Sequence, residues 1–272
     1  MEDSNKVVII TGASSGIGLA SSKLYASRGY RVVMAARSID KLAEEAASFG
    51  CDPDNILCVK TDVSVESDCR NLVEKCVEKF GRIDILINNA GISMRAMFRD
   101  LDLSVIKRLM DVNFWGTVYC TKYALPYLLK TKGSVVGVIS IAGYSGLPAR
   151  TGYSASKYAV RGFLDTLRIE HLYDGLHVLV MAPGFTASNI RNTALTADGS
   201  AQGESPRDEA KMMSAERVAE IMARGIDRRK SRIILTPIGK LTVFMHRMFP
   251  SLTDRLTFAH MAKEPDSPFK KK

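Results

Sequence analysis

Short runs of β-branched and aliphatic residues recur along the chain: KVVIIT, RVVMAA, NILCVKTDV, IDILINNAG, SVVGVIS, HVLVMAPG and RIILTP. Each is apolar almost throughout rather than at alternate positions. A strand that alternates buries one face, whereas a strand apolar on both faces belongs in a parallel sheet covered by helices on each side. Between the runs, apolar residues return at helical spacing near residues 16–28, 38–50, 64–80, 102–131, 153–173 and 214–229. Seven strands alternating with helices predict an α/β fold, a doubly wound seven-stranded parallel sheet in a single domain. The longest irregular stretch, TASNIRNTALTADGSAQGESP, follows a strand end, and connections of that length tend to be functional or mobile.

After the last run the pattern changes. IGKLTVFMHRMFPSLTDRLTFAHMAK sets Leu241, Phe244, Met248, Leu252 and Leu256 at near-helical spacing among Lys240, Arg247, Arg255 and Lys263. Pro250 should divide it into two short helices. The expected division is a nucleotide-binding catalytic region over 1–237 and a basic amphipathic C-terminal extension over 238–272, within the same domain. Such an extension packs against another subunit, caps a hydrophobic pocket, or lies on an anionic membrane surface as a peripheral contact.

Charge narrows the choice of partners. The net charge is +9, but 15 Lys and Arg against 8 Asp and Glu fall between Arg207 and Lys272, leaving 23 against 21 in everything before. The bulk of the chain is nearly neutral, and no recognised nucleic-acid-binding module occurs in it, so no nucleic-acid partner is expected. Five cysteines, with no CxxC and no paired histidines nearby, outline neither a disulfide framework nor a metal site. His171, His177, His246 and His260 have no ligand-spaced companion. The start, MEDSNKVVII, is acidic before it is apolar, unlike a secretory leader, and no apolar run reaches the roughly 18 residues that span a bilayer. A cytoplasmic location follows as the expectation.

Two stretches carry chemistry. TGASSGIG, after the first strand, places Gly12, Gly16 and Gly18 where a helix opens. Glycines there allow a tight turn and let a dinucleotide pyrophosphate approach the backbone, while the helix N-terminus supplies amide donors. This is the phosphate end of a Rossmann fold. At the end of the second strand an acid would bind the adenosine ribose hydroxyls of NAD; Ala36 and Arg37 stand there instead, and a guanidinium pairs with a 2′-phosphate. NADP(H) is therefore the expected cofactor.

The second stretch, TGYSASKYA, sets Lys157 four residues after Tyr153, one above the other on a helix. A free tyrosine has a pKa near about 10, and a neighbouring ammonium lowers the cost of its phenolate. Tyr153 then donates a proton to a carbonyl oxygen, or takes it back in the reverse direction. Ser140, at the carboxyl end of SVVGVIS, can donate to the same oxygen. Asn113 sits within a long helical pattern, where asparagine is unfavourable; it is either a satisfied core amide or a functional group in a kinked or water-bridged helix.

From about Asn5 to Pro237 the chain resembles the short-chain dehydrogenase/reductase family: TGASSGIG, TDV, NNAG, a serine thirteen positions before the tyrosine, YSASK and APG occur in family order. The resemblance implies a tetrad of Asn113, Ser140, Tyr153 and Lys157, with Lys157 also holding the nicotinamide ribose and Asn113 steadying a relay water. For the cofactor it implies Gly12, Ser14, Ser15, Gly16, Ile17 and Gly18 at the phosphates and Asp62 and Val63 at the adenine. Backbone contacts along Asn89, Ala90 and Gly91, and contacts at Pro183, Gly184, Thr186 and Ser188 near the nicotinamide, complete the set. Ser188 stands where the family usually has threonine. Homo-oligomers, dimeric or tetrameric, paired through the helices near 102–131 and 153–173, are implied too. The segment NTALTADGSAQGESP and the basic stretch after it are similar to acyl- or alkyl-dihydroxyacetone-phosphate reductase-like and hydroxysteroid-dehydrogenase-like members, which implies a hydrophobic, lipid- or steroid-like ketone or alcohol as substrate. The alternative is a cofactor-binding regulator or scaffold without turnover.

Overall fold

The computed structural model describes residues 5–186, 190–203, 212–264 and 267–269. Seven parallel strands are ordered β3-β2-β1-β4-β5-β6-β7. They are β1 Val7–Thr11, β2 Arg31–Ala36, β3 Ile56–Lys60, β4 Ile85–Asn88, β5 Ser134–Val138, β6 His177–Ala182 and β7 Arg232–Ile234. Register is continuous from strand to strand, with Ile9 of β1 paired to both Val33 of β2 and Leu86 of β4. The chain winds outward from β1 through β2 and β3, then returns to β4 on the other side of β1. At that reversal the connections diverge, leaving a crevice beyond the carboxyl ends of the strands.

The unbroken apolar runs are explained by two cores. Successive strand residues point to opposite faces. Val7, Ile9, Val33 and Leu86 enter one cluster; Val8, Ile10, Val32, Met34 and Ile87 enter the other. Helices α3 (Glu66–Phe80), α5 (Gly116–Thr131) and α6 (Thr151–Glu170) cover the first face through residues such as Leu72, Leu128 and Leu164. Helices α1 (Gly16–Ser27), α2 (Ile39–Ala47) and α7 (Ala215–Asp227) cover the second through Tyr25, Leu42 and Met222.

The segment expected as one helix near 102–131 is built in three parts: α4 (Leu103–Leu109), a π-helical turn (Met110–Trp115) and α5. The wider turn falls on Asn113, so the helical pattern is interrupted there by a π turn. The tail forms α8 (Pro237–Met248) and α9 (Pro250–Met261), with the break at Phe249 and Pro250. A proline tolerates the first turn of a helix and not its interior, which fixes that boundary.

Candidate active site

The crevice holds a cavity of about 660 Å³ running from the β1–α1 turn to the start of α6. Gly12 has φ of +65°, a left-handed backbone that L side chains rarely adopt. At Gly18 a Cβ would stand 2.2 Å from the Gly12 carbonyl oxygen, so only glycine lets α1 pack against its own entry loop. Asn89 ties the second loop to the first, donating through Nδ2 to the Thr11 carbonyl at 2.9 Å, while the Asn89 and Ala90 amides both donate to Thr11 Oγ1 at 3.0 Å. Ser15 caps α1 without a side-chain hydrogen bond, and its first turn carries no acid. The helix therefore keeps its amide donors and positive dipole end for an anion, which is the donor set a pyrophosphate needs. Ser14, Ser15, Gly16 and Ile17 line the cavity here; Gly18 lies behind the wall.

At the far end Arg37, Asp62 and Val63 line the same cavity. Burial works against ionisation of Asp62, but hydrogen bonds from the Ser64 hydroxyl and amide, with the fields of Arg37 and Arg108, hold its carboxyl below the ordinary value. Lys41, not singled out by the sequence reading, joins Arg37 and Ser38 on the wall. Its only sequence signal is its position one turn into α2, immediately after the strand end that lacks an acid.

The reacting end is built on α6. Tyr153 and Lys157 follow each other along one face, and Lys157 Nζ lies 5.8 Å from the centroid of the Tyr153 ring. Lys157 is 4% exposed and donates to the Val138 carbonyl at 3.0 Å. Burial pulls its pKa down to about 8. Burial also raises the Tyr153 phenol above its ordinary value, and two groups pull against it: a hydrogen bond with the Ser140 hydroxyl, and the charge of Arg150. Tyr153 is thus a protonated phenol at neutral pH. Ser140 Oγ also accepts the Ala142 amide proton at 3.2 Å, which fixes the hydroxyl at the end of β5.

Asn113 is 1% exposed and does not line the cavity. Its Oδ1 accepts from the Ile92 amide at 2.8 Å; its Nδ2 donates to the Ile92 carbonyl at 3.0 Å and to Ser156 Oγ at 2.9 Å. Ser156 Oγ in turn donates to the Tyr153 carbonyl at 2.8 Å. The side chain therefore braces the loop after β4 against α6, so Asn113 is a satisfied core amide that also joins two walls of the site. A Cβ on Gly91 would lie 3.1 Å from Asn113 Oδ1 and 3.3 Å from Lys157 Nζ, which explains the glycine of NNAG.

Pro183, Gly184 and Thr186 line the cavity beside Tyr153; Ser188 lies outside the described residues. The long irregular stretch also reaches the site. Its Leu195 amide donates to the Ser93 carbonyl at 2.8 Å and its carbonyl accepts from the Arg95 amide at 2.8 Å, so Ile190, Arg191 and Leu195 form a wall over the cavity. Arg150, three residues before Tyr153, was not anticipated. It is 6% exposed, donates to the Met94 carbonyl at 2.8 Å and lines the cavity. Among the described residues no group of three or more His, Cys, Asp or Glu is placed to hold a metal ion.

A cleft that runs from a glycine-rich turn to a tyrosine, a serine and a lysine fits an oxidoreductase. The chain belongs to the short-chain dehydrogenase family, whose model matches residues 6–198. It is 36% identical over 260 residues to the dehydrogenase/reductase SDR family protein 7-like of Dictyostelium discoideum, covering 93% of this chain and 81% of that protein. To the 11-beta-hydroxysteroid dehydrogenase-like 4A of Arabidopsis thaliana it is 43% identical over 197 residues, 71% of this chain and 65% of that protein. A short chain dehydrogenase/reductase from Burkholderia phymatum, solved in complex with NAD, has the same fold, with a TM-score of 0.82 at 24% identity over 93% of this chain and 96% of that one.

Proposed function

We propose that this chain is an NADP(H)-dependent oxidoreductase that interconverts a ketone and a secondary alcohol on a hydrophobic, lipid- or steroid-like substrate. The observation that carries the reading is the Tyr153 phenol, kept protonated by burial, beside the Ser140 hydroxyl and above the ammonium of Lys157. NADPH, when bound, supplies the hydride. Tyr153 gives its proton to the carbonyl oxygen, and Ser140 holds that oxygen with a second hydrogen bond. Lys157 on α6 and Arg150 just ahead of that helix lower the cost of the phenolate left behind. Lys157 also holds the nicotinamide ribose, and Asn113 keeps the loop after β4 in register with α6. Thr186 and Ser188 serve the carboxamide.

A hydrophobic substrate is supported by the cavity lining, where Ile92, Val112, Leu147, Phe185, Ile190 and Leu195 supply apolar surface. A homo-oligomer is supported by Trp115, Tyr158 and Ile169, exposed on the π turn and α6. Among the described residues no helix is long and apolar enough to cross a membrane.

The preference for NADP(H) is supported by Arg37, Ser38 and Lys41 at the adenosine end and by Ala36 where an acid would exclude a 2′-phosphate. Oxidation of NADPH and NADH, followed over a panel of hydrophobic ketones, tests cofactor and reaction together. Wild type should favour NADPH, and Arg37→Asp should weaken NADPH by about 10- to 100-fold while leaving NADH little changed. Equal use of the two cofactors by the wild type would reduce Arg37 to a surface charge.

A further inference from the structure

Many apolar residues of the tail are left exposed by the fold. Along α8, Ile238 is 78% exposed, Leu241 59%, Phe244 59% and Met248 54%. At 3.6 residues per turn these four share one arc, and the exposed Lys240 and Arg247 lie at its edge. On α9, Leu252 and Leu256 repeat the arrangement beside Arg255. Exposed apolar arcs on two helices packed together, with basic residues at their edges, mark a contact surface.

The surface is braced rather than loose. At its start the Gly239 amide donates to Thr236 Oγ1 at 3.0 Å, and a Cβ on Gly239 would meet Ile141 at 2.8 Å, one residue from Ser140. At its end buried Glu264 pairs with Arg95 at 3.7 Å, on the loop that carries Ser93 into the cavity wall. Thr253 and Met261 are buried between these anchors. The platform is therefore fixed to two walls of the active-site cavity.

We propose that α8 and α9 lie in the plane of an anionic lipid bilayer surface, apolar arcs in the headgroup region and Lys240, Arg247 and Arg255 against lipid phosphates and carboxylates. Helices of 12 residues are too short to span the roughly 30 Å hydrocarbon core, so the contact is in-plane. The charge decides between occupants. Among the exposed charges of α8 and α9, Lys240, Arg247 and Arg255 outnumber Asp254, so two copies joined through this face would set one basic surface against another, whereas anionic headgroups complement it. The docking surface goes beyond the carbonyl chemistry and does not depend on it.

Flotation of the full chain with phosphatidylcholine vesicles, with and without phosphatidylserine, tests the surface. The protein should float with the anionic vesicles and much less with the neutral ones. Lys240→Glu with Arg247→Glu should lower partition at least about tenfold, and Leu241→Glu with Phe244→Glu about a hundredfold. Both double variants should keep the wild-type melting temperature and turnover of a water-soluble ketone. Wild type remaining unbound with both vesicle types would overturn the proposal, as would undiminished flotation of the folded variants. A dimer split by Leu241→Glu with Phe244→Glu, without vesicle binding, would assign the face to a second copy instead. Absence of carbonyl turnover in the wild type would count against the proposed activity and leave the flotation result standing.

Discussion

Tyr153→Phe should abolish most turnover while leaving NADPH binding close to wild type. The substitution removes the phenolic proton and keeps the ring, which packs beside Met94, Val105 and Leu109. Ser140 remains to hold a carbonyl oxygen, but the phenolic proton that Tyr153 would deliver is gone. General acid assistance of this kind is worth about 10²- to 10⁴-fold in rate. The loss should appear in kcat rather than in the cofactor dissociation constant, because the pyrophosphate loop and the Arg37 end lie elsewhere in the cavity. Steady-state rates paired with fluorescence titration of NADPH check both halves. Near-normal turnover would mean that the proton comes from another group.

Lys157→Met should separate function from stability, lowering turnover and cofactor affinity while making the cofactor-free protein more heat-stable at neutral pH. Burial pulls the Lys157 ammonium down to about 8 in the folded protein, against an ordinary lysine value of 10.5. Between those values the unfolded chain binds more protons, so burial of the charged lysine costs stability fully below pH 8, and the cost disappears as pH rises toward 10.5. A shift of this size corresponds to about 3 kcal/mol, from which the lost bond to the Val138 carbonyl takes back about 1. The Met variant should then melt several degrees higher at pH 7, and the advantage should shrink above pH 8. Melting curves at neutral and alkaline pH are the check. A Met variant that melts lower at pH 7, by an amount independent of pH, would show that the lysine is a structural asset rather than a tolerated cost.

Which features were legible before folding follows from the range of the interactions that make them. Strands such as Val7–Thr11 declare themselves because both faces are apolar, and the Tyr153–Lys157 spacing is a local property of one helix. The π turn at Asn113 was visible only as an anomaly, an asparagine inside a helical pattern. Hydrophobic spacing does not resolve one extra residue per turn, and the cause, a pair of bonds to Ile92, comes from a distant loop. Arg150 was invisible for the same reason. In the local sequence it is a polar residue ahead of a helix, and its influence on Tyr153 exists only once its guanidinium is held by Met94, 56 residues away. Lys41 reads as a solvated helix residue until the strand order sets α2 beside the mouth of the crevice. The wall over the cavity likewise depends on Leu195 meeting Ser93 and Arg95, a pairing no periodicity announces.

On the proposed reading, this chain transfers a hydride between NADP(H) and a carbonyl carbon. NADPH deuterated at its transferable position, incubated with the wild-type protein and a hydrophobic ketone that it reduces, gives an alcohol whose mass spectrum reads the outcome directly. Deuterium should appear on the carbinol carbon, and a parallel incubation with Tyr153→Phe should yield little labelled alcohol. Cofactor consumed with no labelled alcohol formed, or label recovered only in solvent, would contradict it.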